Sequence, residues 1–178
     1  MPFYLLIIGI LIGKLRLIVA RQQQVLGFAL WAALPTPARG TAYLAYLAVD
    51  ERQRNLGVGG QLFQCIVSEA TGQGYITLVW EVEVPEGDRD NLRQRRVVFY
   101  GRQGGKIAEC ASRYTEITTA GELKPMRIMW RSLSDPLRVE VLADVIRWIQ
   151  GIYRLAYRSR YTPAEIQRLF MEPVPASE

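Results

Sequence analysis

Arg54-Asn55-Leu56-Gly57-Val58-Gly59-Gly60 is the stretch on which the reading of this chain turns. Three glycines within four residues stand between a strand-like run and a helix-like run. Such a junction bares backbone N–H groups, because glycine puts no side chain between the chain and a ligand. The first N–H groups of a helix also lack partners inside it, and with the helix dipole they favour an anion. Taken alone, the glycines are equally compatible with a simple tight turn.

Upstream, Thr41 to Asp50 (TAYLAYLAVD) is short, aromatic and apolar and ends at the charged turn Asp50-Glu51-Arg52-Gln53, the pattern of a largely buried strand. Downstream, Val58, Leu62, Ile66 and Ala70 recur at helical spacing. Phe63 and Val67 widen that stripe, and Gly72 or Gly74 is the expected stop. Two familiar phosphate loops do not fit. A nucleotide-hydrolysing loop needs Gly-Lys-Ser/Thr at the helix start, where this chain has Gly60-Gln61-Leu62, and a dinucleotide fingerprint needs a third glycine where Leu62 stands.

Arg54-x-x-Gly57-x-Gly59 resembles instead the acetyl-coenzyme A loop, Gln/Arg-x-x-Gly-x-Gly/Ala, of the GNAT family of N-acetyltransferases. Tyr46-Leu47-Ala48-Val49-Asp50 resembles that family's fourth strand. Val97-Val98-Phe99-Tyr100-Gly101-Arg102-Gln103-Gly104-Gly105 resembles its helix with Phe-Tyr before a glycine turn. The resemblance spans roughly Lys14 to Leu133. It implies an α/β fold with a mixed, mostly antiparallel twisted sheet flanked by helices, and transfer of acetyl from acetyl-coenzyme A to a primary amine by direct attack in a ternary complex. A catalytically weak coenzyme A-binding or interaction module of the same fold is the alternative.

The resemblance implies roles residue by residue. Arg54, Asn55, Leu56, Gly57, Val58, Gly59 and Gly60 would offer backbone N–H groups to the pyrophosphate. Main chain of Leu47 and Val49 would pair with the pantetheine arm like an added strand. Tyr100 occupies the family's tyrosine position and would act as general acid toward the departing thiolate. The glutamate that many relatives carry in the fourth strand is Ala45 here. Glu81 and Glu83, two apart on a strand and so on one face, are the substitute candidates for base and amine attraction; if that face meets solvent, they are surface charges. Relatives often carry an asparagine seven residues before the tyrosine. Arg93 stands there instead, with Asn91 two residues too early. Arg93 or Arg102 would meet either a coenzyme phosphate or water.

Composition narrows the classes further. With 178 residues, 49% of them apolar and 22% charged, the chain is long enough for one domain with a substantial core. The net charge of +5 suits a polyanionic ligand. Arg93-Gln94-Arg95-Arg96 and Arg154 to Arg160 read as solvated helix faces, so no nucleic-acid partner is expected. Histidine is absent, which removes histidine triads and the commonest transition-metal ligand, and no metal is expected. Cys65 and Cys110 are isolated and read as small core residues in a reducing cytoplasm. Met1 to Gly13 is apolar but lacks a basic start and a cleavage site, and Lys14 and Arg16 interrupt it before the ~20 residues a membrane span needs. It is expected to form a buried helix or strand, and the protein to be cytoplasmic.

Lys14–Ala20 and Val25–Leu34 read as a hairpin across Arg21-Gln22-Gln23-Gln24, followed by a loop at Pro35–Gly40. Further strands are expected at Tyr75–Val84, Lys106–Thr119 and Met126–Leu133, with a helix over Asn91–Gln103. Asp135 is the expected N-cap of a long helix with Pro136 in its first turn, and Leu137, Val141, Val145, Ile149 and Ile152 along its apolar face. Thr162-Pro163-Ala164-Glu165 reads as a capping box opening a last short helix. The division expected is a core domain over residues 1–134 and a helical extension over 135–178 packed on it or, in a homodimer, on a partner subunit. The front end looks abbreviated, since thirteen residues cannot supply the strand and two helices that usually precede the family's hairpin. Either the first strand is missing or the chain as given begins late.

Overall fold

Why the glycine stretch becomes a strand-to-helix junction is visible in what lies on either side of it. The computed structural model describes residues 4–6, 15–35, 40–87, 91–118, 121–158 and 161–171. These divide into two compact units, the first holding residues up to Ala33, Gly40–Leu78 and Ser132–Pro136, the second Leu34–Arg39, Val79–Arg131 and the chain from Leu137 onward.

The first unit begins with β1 (Tyr4–Leu6), β2 (Leu15–Arg21), β3 (Val25–Ala33) and β4 (Thr41–Val49), each antiparallel to the next. The predicted hairpin is β2 and β3, and a strand does stand ahead of it. The rest of the apolar N-terminal run lies outside the described residues, as do Lys14, Thr36 to Arg39, Asp88, Thr119, Ser159 and Arg160. Helix α1 (Val58–Gly72) lies against β2, β3 and β4. Its buried residues are Val58, Leu62, Phe63, Ile66 and Ala70, the predicted stripe with Val67 left half-buried. Full burial of each large apolar side chain stabilises by about 1.5–3 kcal/mol. Close approach is possible because position 27 of β3 is glycine; a Cβ there would sit 2.6 Å from the Ala48 carbonyl oxygen and 3.1 Å from Leu62. Further along, the buried Trp31 ring donates its indole N–H to Glu69 of α1 at 3.1 Å and meets Tyr75 edge-on.

One irregularity in this sheet matters for function. Leu30 faces Tyr46 but Trp31 faces Leu44, so Ala45 is an extra residue on β4, a β-bulge. Before it, Thr41 to Leu44 are all buried; after it, half-buried Leu47 and Val49 alternate with exposed Tyr46 and Ala48.

The second unit takes up β5 (Thr77–Glu83) from Val79 onward and continues with α2 (Asn91–Arg102), β6 (Lys106–Ile107), β7 (Thr115–Ile117), β8 (Leu123–Ser132), α3 (Leu142–Ala156) and α4 (Pro163–Phe170). Its strand order is β5-β8-β6, with β7 pairing β8, and β6 and β7 both run antiparallel to β8. The architecture is a mixed α/β fold whose sheet is mostly antiparallel, as expected. The C-terminal helices belong to this unit: Trp148 of α3 packs on Trp130 of β8, and Tyr153 packs on Tyr114 and Phe170.

Two expectations fail here for one physical reason. The strand predicted over Lys106–Thr119 is broken after Ile107 by a single turn of 3₁₀ helix at Glu109–Ala111, and the helix predicted from Asp135 begins only at Leu142. Before it Pro136 and Leu137 form a turn and residues 138–141 are irregular, leaving Leu137 85% and Val139 73% exposed while Arg138 and Glu140 are half-buried. Glu140 accepts the backbone N–H groups of Glu109 and Cys110, both at 3.1 Å, and Lys106 donates to the Arg138 carbonyl. These charge-assisted hydrogen bonds at Arg138 and Glu140 tie the segment to residues 106–110 and outweigh the 3.6-residue pattern of its apolar side chains. The final helix does open on the predicted capping box. The Thr162 hydroxyl accepts the Glu165 N–H at 3.2 Å, and the Glu165 carboxylate accepts the Thr162 N–H at 2.8 Å.

Candidate active site

The glycine stretch is anchored at its start by Asp50. Its backbone N–H donates to the Leu26 carbonyl of β3 at 2.8 Å, and its carboxylate accepts the Arg52 N–H at 2.8 Å, capping a 3₁₀ turn over Glu51–Gln53. Arg54 then runs extended, and the chain reaches α1 through two left-handed residues, Asn55 at φ +65° and Gly57 at φ +84°. Gly57 is the N-cap of α1 and has no side chain to close the helix end. Its carbonyl accepts the Gln61 N–H at 3.0 Å, leaving the N–H groups of Val58, Gly59 and Gly60 ahead of the first intrahelical bond. A Cβ on Gly57 would meet nothing within 4 Å. The start of α1 thus presents backbone donors at a helix end that no side chain caps, an arrangement that suits an anion. The Arg54 side chain is turned aside, 53% exposed and 3.7 Å from Glu51.

In the second unit, Tyr100 stands in the last turn of α2 with 7% exposure, its ring centre 5.0 Å from those of both Trp80 and Phe99. Burial pushes its phenol up to about 12. In the same unit the Lys106 ammonium lies over the Trp130 ring, 5.3 Å from its centre, and the Tyr114 and Tyr153 rings meet edge-on.

The two β5 carboxylates share a face but do different things. Glu83 is spent on cations: Arg93 at 3.2 Å, Arg96 at 3.1 Å and Lys124. The Lys124 hydrogen bond, aided by the charges of Lys124, Arg96 and Arg93, holds its carboxyl below the usual range. Arg93 also pairs with Glu86 at 2.7 Å, so this helix face is engaged with carboxylates rather than simply solvated. Glu81 accepts two phenolic hydroxyls on one oxygen, Tyr114 at 2.6 Å and Tyr157 at 2.8 Å. Neither tyrosine was singled out by sequence reasoning. Tyr157 fell within the Arg154–Arg160 run read as a solvated face, although Tyr153 and Tyr157 stand four apart at the end of an apolar helix, a spacing that places two polar-tipped rings on the buried side.

Cys65 and Cys110 are free and half-buried, and burial raises both thiols, Cys110 to about 12. Neither is an activated nucleophile. Among the described residues no group of histidine, cysteine, aspartate and glutamate is arranged to hold a metal ion, and no helix is long and apolar enough to cross a membrane.

This fold, with a glycine-lined helix N-terminus following a bulged strand, is that of an acetyltransferase. Residues 11–111 match the family model described as the acetyltransferase (GNAT) family, and the chain belongs to that family. No curated protein matches it in sequence. Among solved structures it is similar to a putative GNAT acetyltransferase from Bacteroides thetaiotaomicron (20% identity, 84% of this chain and 76% of the other, TM-score 0.61). It is also similar to the ribosomal-protein-S18-alanine N-acetyltransferase of Escherichia coli (22%, 69% and 72%, TM-score 0.52). A third is an aminoglycoside 6'-N-acetyltransferase complexed with coenzyme A (19%, 73% and 78%, TM-score 0.55). At these identities the likeness is one of fold.

Proposed function

We propose that this protein is a cytoplasmic N-acetyltransferase that moves acetyl from acetyl-coenzyme A to a primary amine by direct attack, with both substrates bound together. The observation that carries this is the open, donor-lined start of α1, reached through Gly57 at φ +84° directly after the bulged strand β4. The N–H groups of Val58, Gly59 and Gly60 would hold the pyrophosphate, and the main chain of Leu47 and Val49, past the bulge at Ala45, would take the pantetheine arm. The donor supplies the activated acetyl thioester.

Tyr100 would donate its hydroxyl proton toward the departing sulfur. A phenol held at about 12 stays protonated at every working pH. A thiol titrates near 8.5, so the Tyr100 contribution is a hydrogen bond that strengthens as charge develops on sulfur, with the final proton free to come from water. An amine of the lysine type, with a pKa near 10.4, arrives charged and must lose a proton before it attacks. Glu81 suits that task better than Glu83, whose charge is already matched by three cations.

The test is thiol release from acetyl-coenzyme A across spermidine, L-lysine, tyramine and a short peptide with a free N-terminal alanine. Amine-dependent release that Tyr100→Phe slows without weakening coenzyme A binding is the expected result. Tight coenzyme binding with no turnover on any amine would replace the enzyme with a coenzyme A-binding module.

A further inference from the structure

Three residues far apart in sequence meet at one carboxylate oxygen. Tyr114 precedes β7, Tyr157 is the C-cap of α3, and both hydroxyls donate to Glu81 Oε1 on β5 at 2.6 and 2.8 Å. Such O–H···O⁻ bonds are the short, strong kind, and they favour the ionised carboxylate.

The surroundings fix the donors in place. Tyr157 bonds its backbone N–H to the Tyr153 carbonyl, and its ring lies 5.0 Å from that of Tyr153. The next residue, Arg158, sits at φ +54°, a left-handed conformation that a non-glycine residue adopts only when its neighbours impose it. Beyond that turn the buried Gln150 amide donates to the Tyr161 carbonyl at 3.1 Å, while the Tyr153 hydroxyl donates to the Thr115 carbonyl at 2.5 Å. Tyr161, α3 and the start of β7 are thus tied to one another. Burial, then the Glu81 charge, raises both clamping phenols, so each keeps its donated proton across the working range.

We propose that Tyr114 and Tyr157 are positioning residues that hold Glu81 as an oriented carboxylate, making the C-terminal end of α3 part of the machinery that takes the proton from the acceptor amine. The clamp rests on Glu81 serving as the base proposed above. Around it stand Tyr153 of α3 and Glu116 of β7, and on β5 itself Glu83, whose charge is met by Lys124, Arg93 and Arg96; Lys124 also lies 3.7 Å from Glu116. The two phenol donors bond the ionised form of the carboxyl and so favour it. Removing one donor must raise its pKa.

The experiment follows the Glu81 carboxyl by ¹³C NMR in glutamate-labelled protein, the resonance being assigned by its loss in Glu81→Gln. In Tyr157→Phe, which removes one oxygen from a half-buried ring, the titration moves up by about one unit, a tenfold gain in proton affinity. Tyr114→Phe moves it in the same direction. The acid limb of kcat/KM, measured by thiol release with the fastest amine of the panel above, moves up by the same amount in Tyr157→Phe and vanishes in Glu81→Gln. An unchanged carboxyl titration in both tyrosine variants overturns the clamp whatever happens to the rate. A shifted titration with an unmoved acid limb leaves the clamp standing as structure and overturns its catalytic part together with Glu81 as base.

Discussion

The glycine loop of the first unit and the Glu81 clamp of the second are built from opposite materials. At the loop the chain offers backbone: side chains are missing, turned aside or, at Leu56, exposed, and what matters is that Gly57 can hold φ +84°. At the clamp the backbone is ordinary strand and helix end, and what matters is that three side chains reach one oxygen. A backbone site tolerates changes in side chains and fails when a dihedral angle becomes inaccessible. A side-chain site fails one functional group at a time, and each failure is read in rate and pH dependence.

That contrast is exposed most sharply by Tyr100→Phe. The substitution removes one oxygen from a ring held by Trp80 and Phe99, so packing survives. Turnover should fall by roughly 10²–10³, the range for a lost hydrogen-bond donor to developing charge, with coenzyme A affinity by calorimetry unchanged. The next largest effect is expected at Gly57→Val. A β-branched residue in the left-handed region is strained by about 1–2 kcal/mol or more, although its Cβ would meet nothing within 4 Å. Coenzyme A affinity should drop about a hundredfold, some 2.7 kcal/mol. Thermal unfolding should show the fold retained with a Tm lower by several degrees. Loss of turnover at unchanged affinity would break the distinction, since the loop would then act on chemistry and not on binding.

The same distinction explains what could be read from sequence. Gly57, Gly59, the stripe from Val58 to Ala70 and the Thr162 capping box are local rules written in consecutive residues, and all lie in the elements expected of them. The clamp joins positions 81, 114 and 157, and no local periodicity relates residues so far apart. Leu137 and Val141 fit the apolar period of a longer helix, whereas Glu140, just ahead of the actual one, is claimed by backbone N–H groups of residues 109 and 110. The bulge at Ala45 is likewise set by the pairing of β3 with β4, where Leu30 and Trp31 choose partners two residues apart.

A smaller effect is expected where Glu83 meets Lys124. The folded state lowers the Glu83 pKa, so the stability this contributes is present above the unfolded value near 4.3 and is lost as pH falls through the lower folded value. Lys124→Met should therefore cost roughly 0.2–1 kcal/mol in urea unfolding at pH 7. The difference from the parent protein should shrink as the pH is taken below 4 and disappear once Glu83 is neutral in both. A cost that persists undiminished in acid would mean that the lysine stem, and not its charge, holds β8 at this point.

Arg54→Ala is predicted to have the least effect, and it tests the backbone character of the loop most directly. Arg54 carries the loop's only cation past Arg52, yet its guanidinium is half-exposed and faces Glu51 at 3.7 Å, an exposed pair of the kind that contributes little. Its φ of −67° and ψ of 151° are open to alanine, so the path into Asn55 and Gly57 is preserved. Coenzyme A affinity should change by about threefold or less, roughly 0.6 kcal/mol, against the hundredfold expected at Gly57. Raising the salt concentration should narrow even that difference, because an exposed charge acts through a screened field while an N–H aimed at a phosphate acts at contact. Should Arg54→Ala instead match Gly57→Val, the anion would be held by side-chain charge, and the three glycines would be left as the tight turn that their spacing alone allows.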